Sequence, residues 1–198
     1  MITNKKEYQY YLECDRVALG ISRKHPRPFT DYVWRFERLL RRYEYYYNCK
    51  PYPSIIQSLL TLYIKIKYNR MCIRMGFDIP INVIGPGLSI VHPGTIVISR
   101  GAKIGKNLRI HEGVTIGATN GSSNAATIGD NVFIASGAKI IGELNIHDNT
   151  AIAANAVVVK DCTTGTWGGV PSIKISNNTS LLNLTPATDI VDKTFIWE

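Results

Sequence analysis

Four histidines and four cysteines hold most of the nucleophilic, basic and metal-ligating options in this chain. The cysteines (14, 49, 72 and 162) show no CxxC spacing, no framework of a small secreted fold and no evident activating base. None of the histidines clusters with them at zinc spacing, so the sequence offers no metal site and no acyl-cysteine. What remains is proton transfer by an imidazole, whose ordinary pKa suits a general base near neutral pH. His92 is the candidate, because it alone lies beside an irregularity in an otherwise regular pattern. His25 sits in a basic, Pro-rich connector, while His111 and His147 recur at one repeat position where surface exposure is expected.

That pattern is a six-residue beat from Ile84 to Thr163. Aliphatics recur at Ile98, Ile104, Ile110 and Ile116, then at Ile128, Ile134, Ile140, Ile146, Ile152 and Val158. Four places after most of them stands a smaller or apolar residue, for example Ala102, Leu108, Val114, Val132, Ala138, Ala156 and Cys162. Neither the 3.6-residue period of a helix nor the alternation of a strand gives this. A hexapeptide-repeat parallel β-helix does: each hexad forms one wall of a triangular coil. Two breaks interrupt it, Val91–Thr95, where the interval widens by two residues, and Thr119–Thr127, where the hexad at Ser122 has no apolar anchor. Regular coils only need to stack, so breaks are where function is expected.

Counting Ser122 as a hexad of its own, the register stacks His92 on Glu112, then on Asp130 and Asp148. A second column holds Ala118, Ser136 and Ala154, and a third Lys106, Gly142 and Lys160. The small-residue column leaves a strip of backbone for a long, thin ligand, although small residues also suit tight corners.

The remaining elements frame this solenoid. Residues 1–76 form an N-terminal basic α-helical domain, 77–175 the β-helix and 176–198 a C-terminal tail. Three helices are expected: one opened by Asn4 and Glu7 and closed by Gly20, one over Asp31–Asn48, and one from a Ser54/Gln57 capping box to the Gly76 stop. The N-terminal part carries a net charge of +9 and the remainder −1. Such a basic piece suits an anionic membrane surface, nucleic acid, an acidic glycan or cofactor phosphates, or is a solvated face. The apolar run Ile55–Ile64 is too short to cross a bilayer and either packs on the other helices or lies on a membrane surface. With no apolar leader after Lys5–Lys6, a cytoplasmic location, either free or membrane-associated, is the expectation.

Residues 76–175 resemble the serine acetyltransferase branch of the left-handed β-helix acyltransferases, and within it the capsule and exopolysaccharide O-acetyltransferases. The resemblance rests on Gly76-Phe77-Asp78-Ile79, Ile90-Val91-His92, Gly113-Val114-Thr115-Ile116-Gly117, Ile128-Gly129-Asp130-Asn131-Val132, Gly137–Gly142 and Gly169-Val170-Pro171. It implies a mainly β fold with a left-handed coil, acetyl-CoA as donor, no metal, and a homotrimer or a dimer of trimers. His92 matches the catalytic base, oriented by Asp78 or by Glu112. Gly117, Ala118, Ser136 and Ala154 match the strip that holds the pantetheine arm, with Lys160 and Lys174 toward the nucleotide phosphates. Asn120, Asn124 and His111 are placed at the acceptor.

Two departures shape the functional expectation. Where the serine enzymes carry Asp before the histidine, this chain has Val91; where they carry Arg-His, it has Asn124-Ala125. Both positions lose charge partners of a free amino acid. The expectation is therefore acetyl transfer to a sugar hydroxyl, with a glycan or nucleotide sugar as partner and no nucleic acid. Serine O-acetylation in cysteine biosynthesis and a non-catalytic trimeric scaffold are the alternatives.

Overall fold

The structure, a computed structural model, describes residues 1–50 and 52–197. Helix α1 spans Lys5–Ala18, α2 Tyr32–Cys49 and α3 Ser54–Met75. The Asn4 side chain caps α1 by accepting from the Glu7 N–H at 2.9 Å. The expected capping box at Ser54 does not form. Pro53 precedes α3 without a capping hydrogen bond, and the Gln57 amide instead donates to the Tyr46 carbonyl and, at 2.9 Å, to Thr61 Oγ1. Gly76 ends α3 at φ 75, a left-handed conformation that carries little penalty without a Cβ.

Short parallel strands then wind three walls. One wall orders β1 (Phe77–Asp78), β3 (Ile96–Ile98), β6 (Thr115–Gly117), β9 (Lys139–Ile141) and β12 (Val157–Val158). The second holds β4 (Lys103–Ile104), β7 (Thr127–Ile128) and β10 (Asn145–Ile146). The third runs β2 (Ser89–Ile90), β5 (Arg109–Ile110), β8 (Phe133–Ile134), β11 (Thr150–Ile152), β13 (Gly165–Gly168) and β14 (Ile173–Ser176), the last pairing antiparallel. The aliphatic anchors point inward: Ile98, Ile110, Ile116, Ile134, Ile140 and Val158 are buried, as is Cys162. Burial pushes the Cys162 thiol up to about 11, so it serves as a small core residue and not as a nucleophile.

The corners explain the polar residues. Asn107, Asn131 and Asn149 all take positive φ, and their side-chain amides form a ladder with steps of 2.7 and 3.1 Å. Beyond β14 the chain returns along this corner. The side chains of Thr188 and Asn107 bond at 2.8 Å, and Thr188 N–H donates to Asn107 at 3.0 Å. Helix α4 (Ala187–Val191) then meets α1, where Tyr10 donates to Asp192 at 2.7 Å and its ring lies 4.9 Å from Trp197. The tail thus docks on the N-terminal helix.

The helices meet the first coil through buried charge. Arg41, fully buried, donates to Asp15 at 2.8 Å, to Glu44 at 3.1 Å, and to the carbonyls of Ile84 at 2.8 Å and Gly85 at 2.6 Å. Asp15 accepts in turn from the N–H groups of Gly87 and Leu88 at 2.9 and 2.8 Å. Glu37 accepts from Ile90 N–H at 2.9 Å, while its other oxygen is buried without a hydrogen bond among the described residues. Burial alone would lower the Arg41 pKa, but Asp15 and Glu44 raise it. Burial, reinforced by Asp15, raises that of Glu37 well above the usual carboxylate range.

Candidate functional site

His92 is exposed on the turn between β2 and β3, a turn tied to the helices by Gly94 N–H donating to Met75 O at 3.1 Å. Pairing of β2 with β5, β5 with β8 and β8 with β11 aligns Ile90, Ile110, Ile134 and Ile152. Two residues beyond each anchor stand His92, Glu112, Ser136 and Ala154, so these four form one column along one edge of the prism. The His92 and His111 rings lie 6.1 Å apart at 82°. His111 also meets the Phe133 ring at 5.3 Å, and its Nδ1 is 3.4 Å from Ser136 Oγ.

Burial, then the cationic Arg109, pulls the His111 pKa below the ordinary histidine value. The neighbouring Ser136 hydroxyl holds the Glu112 carboxyl below its usual range, with His92 and His111 adding to the effect. Glu112 Oε2 is out of contact with solvent and makes no hydrogen bond among the described residues. A Cβ on Gly94 would come within 2.8 Å of the Glu112 Cβ, so only glycine lets the His92 turn approach this side chain. The arrangement is an exposed imidazole beside an ionised carboxylate, which can accept a proton from a hydroxyl and stabilise the resulting imidazolium.

Beyond Glu112, the expected columns are corrected. Thr119–Ala126 occupies no wall: Ile104 pairs with Ile128 and Ile110 with Ile134, so this coil takes 24 residues. Without an apolar anchor the Ser122 hexad gains nothing from facing the core and loops outward. Asp130 and Asp148 therefore leave the His92 column and stack above Lys106, where Asp130 accepts from Lys106 N–H at 2.9 Å and Asp148 from Asp130 N–H at 2.7 Å. Ser136 and Ala154 join His92 and Glu112, while Ala118 aligns with Gly142 and Lys160 on another edge. The expected strip of Gly117, Ala118, Ser136 and Ala154 is thus divided between two edges.

The other expected site residues are dispersed. Asp78 makes no hydrogen bond or ion pair with His92 among the described residues. It lines a cavity of about 740 Å³ with Lys65, Tyr68 and Arg100. Lys160 is exposed at its edge, and Lys174 is exposed on β14 opposite Trp167. Asn120 and Asn124 are exposed in the excluded loop, where the Asn124 amide lies 3.2 Å from both oxygens of Glu143. Sequence reasoning missed Arg109, two residues before His111 at the start of β5, and Phe133, on the adjoining strand β8; the repeat register was the signal that places them there. No group of residues suited to a metal ion occurs among the described residues. No helix of the described residues is long and apolar enough to cross a membrane.

No family model matches the chain. The serine acetyltransferase of Mycobacterium tuberculosis is 42% identical over 91 residues, 44% of this chain and 40% of that protein. The serine acetyltransferase of Staphylococcus xylosus is 44% identical over 78 residues, 38% of this chain and 36% of that protein. The matched part therefore spans less than half the length of these curated relatives. Among solved structures, the serine acetyltransferase of Neisseria gonorrhoeae superposes with a TM-score of 0.65 at 26% identity, over 88% of this chain and 70% of that one. A serine acetyltransferase solved with cysteine gives 0.67 at 24% identity, a likeness of fold.

These relatives overturn the expected sugar acceptor, since they are named for serine. The inference from Val91 and Asn124-Ala125 treated two missing side chains as a changed substrate. Losing two contacts alters how an amino acid is held but does not by itself build a sugar site. The three parallel walls, the N-terminal helices and these neighbours together identify a left-handed β-helix of the serine acetyltransferase-like hexapeptide acyltransferase fold.

Proposed function

We propose that the chain is an acetyl-CoA-dependent O-acetyltransferase whose acceptor is L-serine. The observation that carries this reading is the column of His92 on Glu112, with His111 beside both, on a serine acetyltransferase-like coil. His92 takes the hydroxyl proton as the serine oxygen attacks the thioester carbonyl. The C–S bond then breaks and the imidazolium returns the proton to the CoA thiolate. Glu112, not Asp78, stabilises the imidazolium, because it shares the His92 column whereas Asp78 faces the cavity at Lys65 and Arg100. His111, whose pKa is lowered by burial and by Arg109, stands beside His92 toward the acceptor.

Acetyl-CoA is the donor in this reading; a neighbour of the same fold was solved with CoA. The small-residue strip lies on two edges of one prism, and a single thin ligand cannot follow both on one copy. A homotrimer resolves this, with the His92–Ser136–Ala154 edge of one copy facing the Gly117–Ala118 edge of the next. Lys160 and Lys174, both exposed, are then available to the nucleotide phosphates. The test is thiol release from acetyl-CoA with L-serine, together with light scattering. Serine-dependent release by a trimer is expected. A trimer that releases no thiol in the presence of L-serine would overturn the reading and leave a trimeric scaffold.

A further inference from the structure

Helices α2 and α3 turn matching stripes toward each other. From α2 come Arg35, Arg38 and Arg42, and from α3 Lys67, Arg70 and Arg74, all lining one cavity of about 770 Å³. On each helix the spacing is three to four residues, one helical face. No carboxylate lines this cavity, and none of the six cations forms an ion pair among the described residues. Arg38 stacks over Trp34 at 5.8 Å and Arg42 over Tyr46 at 5.7 Å, contacts that stiffen the guanidinium groups without neutralising them. Solvated basic residues ordinarily spread apart on a convex surface. Here two helices gather six cations, Arg38 half-buried and the others exposed, around one concavity, an arrangement that an anion would stabilise.

The rest of the lining defines the anion's size and character. Leu39, Met71 and Met75 supply an apolar floor, and Tyr8 and Tyr32 supply aromatic rings. Arg38 and Arg42 lie close enough to the Tyr8 hydroxyl to oppose the rise that burial gives its pKa. The volume falls within the roughly 300–1,000 Å³ of small-molecule sites. Arginine forks match phosphate oxygens, and several phosphates are needed to use six cations. Pro93, next in the chain to His92, completes the wall, so an occupant lies against the segment that carries the proposed base.

We propose that this cleft binds a small polyphosphate carrying a flat, partly apolar body, the chemistry of a nucleoside di- or triphosphate. The proposal stands on the cleft alone and does not depend on serine being the acceptor.

Isothermal titration calorimetry of the full chain at physiological ionic strength tests it, with ATP and inorganic tripolyphosphate as probes. Both are expected to bind saturably, one per chain, with ATP the tighter through its base. An Arg38→Ala/Arg70→Ala variant is expected to lose at least tenfold in affinity for both. Its ligand-free Tm should equal or exceed the parent's, since facing cations have been removed. Absence of saturable binding would overturn the proposal. Affinity unchanged in the variant would do the same, placing the probe elsewhere, including the coenzyme groove. Binding to phosphatidylglycerol vesicles that tripolyphosphate does not displace would assign the charge to a membrane surface instead. Serine-dependent thiol release by the variant, measured in parallel, separates failure of this inference from failure of the proposed activity.

Discussion

The ring of His111 stands edge-on to that of His92, centroids 6.1 Å apart, with the Glu112 carboxyl next to it in the chain. Two imidazoles so placed repel one another when both are charged, and burial together with the cationic Arg109 lowers the pKa of His111.

His92→Ala is expected to lower kcat by about 10²–10⁴, the usual range for loss of a general base, with little change in acetyl-CoA affinity. His111→Ala is expected to act mainly on the KM for serine. Steady-state kinetics of both variants check the assignment; an equal kcat loss in His111→Ala would exchange their roles.

Ser136→Ala is expected to raise the pH at which Glu112 protonates, because the Ser136 hydroxyl is the largest influence holding that carboxyl down. The extra loss of kcat/KM then falls at the acid end of the profile, below the limb set by the imidazole base. Profiles of parent and variant with saturating acetyl-CoA read this directly.

Arg41→Met is expected to destabilise the fold by about 3–5 kcal/mol, because Asp15 and Glu44 would be left as uncompensated buried charges. Arg41→Lys is expected to fall between, since an ammonium cannot serve Asp15, Glu44 and two carbonyls in the same geometry. Urea unfolding with a common m-value checks both.

Glu37 governs a pH dependence of stability. Its folded pKa is raised, so the folded state keeps a proton that the unfolded chain releases above about 4.3. The stabilisation is complete below that pH and fades as pH rises through the folded value. Glu37→Gln, which cannot ionise and keeps an acceptor for Ile90 N–H, is expected to flatten the Tm-against-pH curve and to gain relative to the parent at alkaline pH. A parallel loss at all pH values would refute the linkage.

The solenoid was legible because its cause is local. One inward aliphatic every six residues places Ile98 and Ile116, and likewise Ile140 and Val158, one coil apart on a wall. The register past Ile116 was not, because a hexad without an anchor reads alike whether it fills a wall or loops out. That ambiguity misplaced the residues after the break, Asp130, Asp148, Ser136, Ala154, Gly142 and Lys160, while leaving His92 on Glu112 intact. The Arg41 cluster was hidden for another reason: Asp15 and Ile84 lie 26 and 43 residues from Arg41, and no periodic signal joins them. The basic excess of the first 76 residues was visible, but its convergence into one cleft required the pairing of α2 with α3.

The same cluster also bears on solubility. A parallel coil leaves a rim of unpaired backbone groups at each end, which invites another coil to add on indefinitely. At the first rim, Arg41 takes the carbonyls of Ile84 and Gly85, Asp15 takes the N–H groups of Gly87 and Leu88, and Glu37 takes that of Ile90. At the last rim the antiparallel turn of β14 against β13 ends parallel growth. Polar and charged side chains drawn from helices thus act as terminators of a stack that could otherwise extend into a fibre.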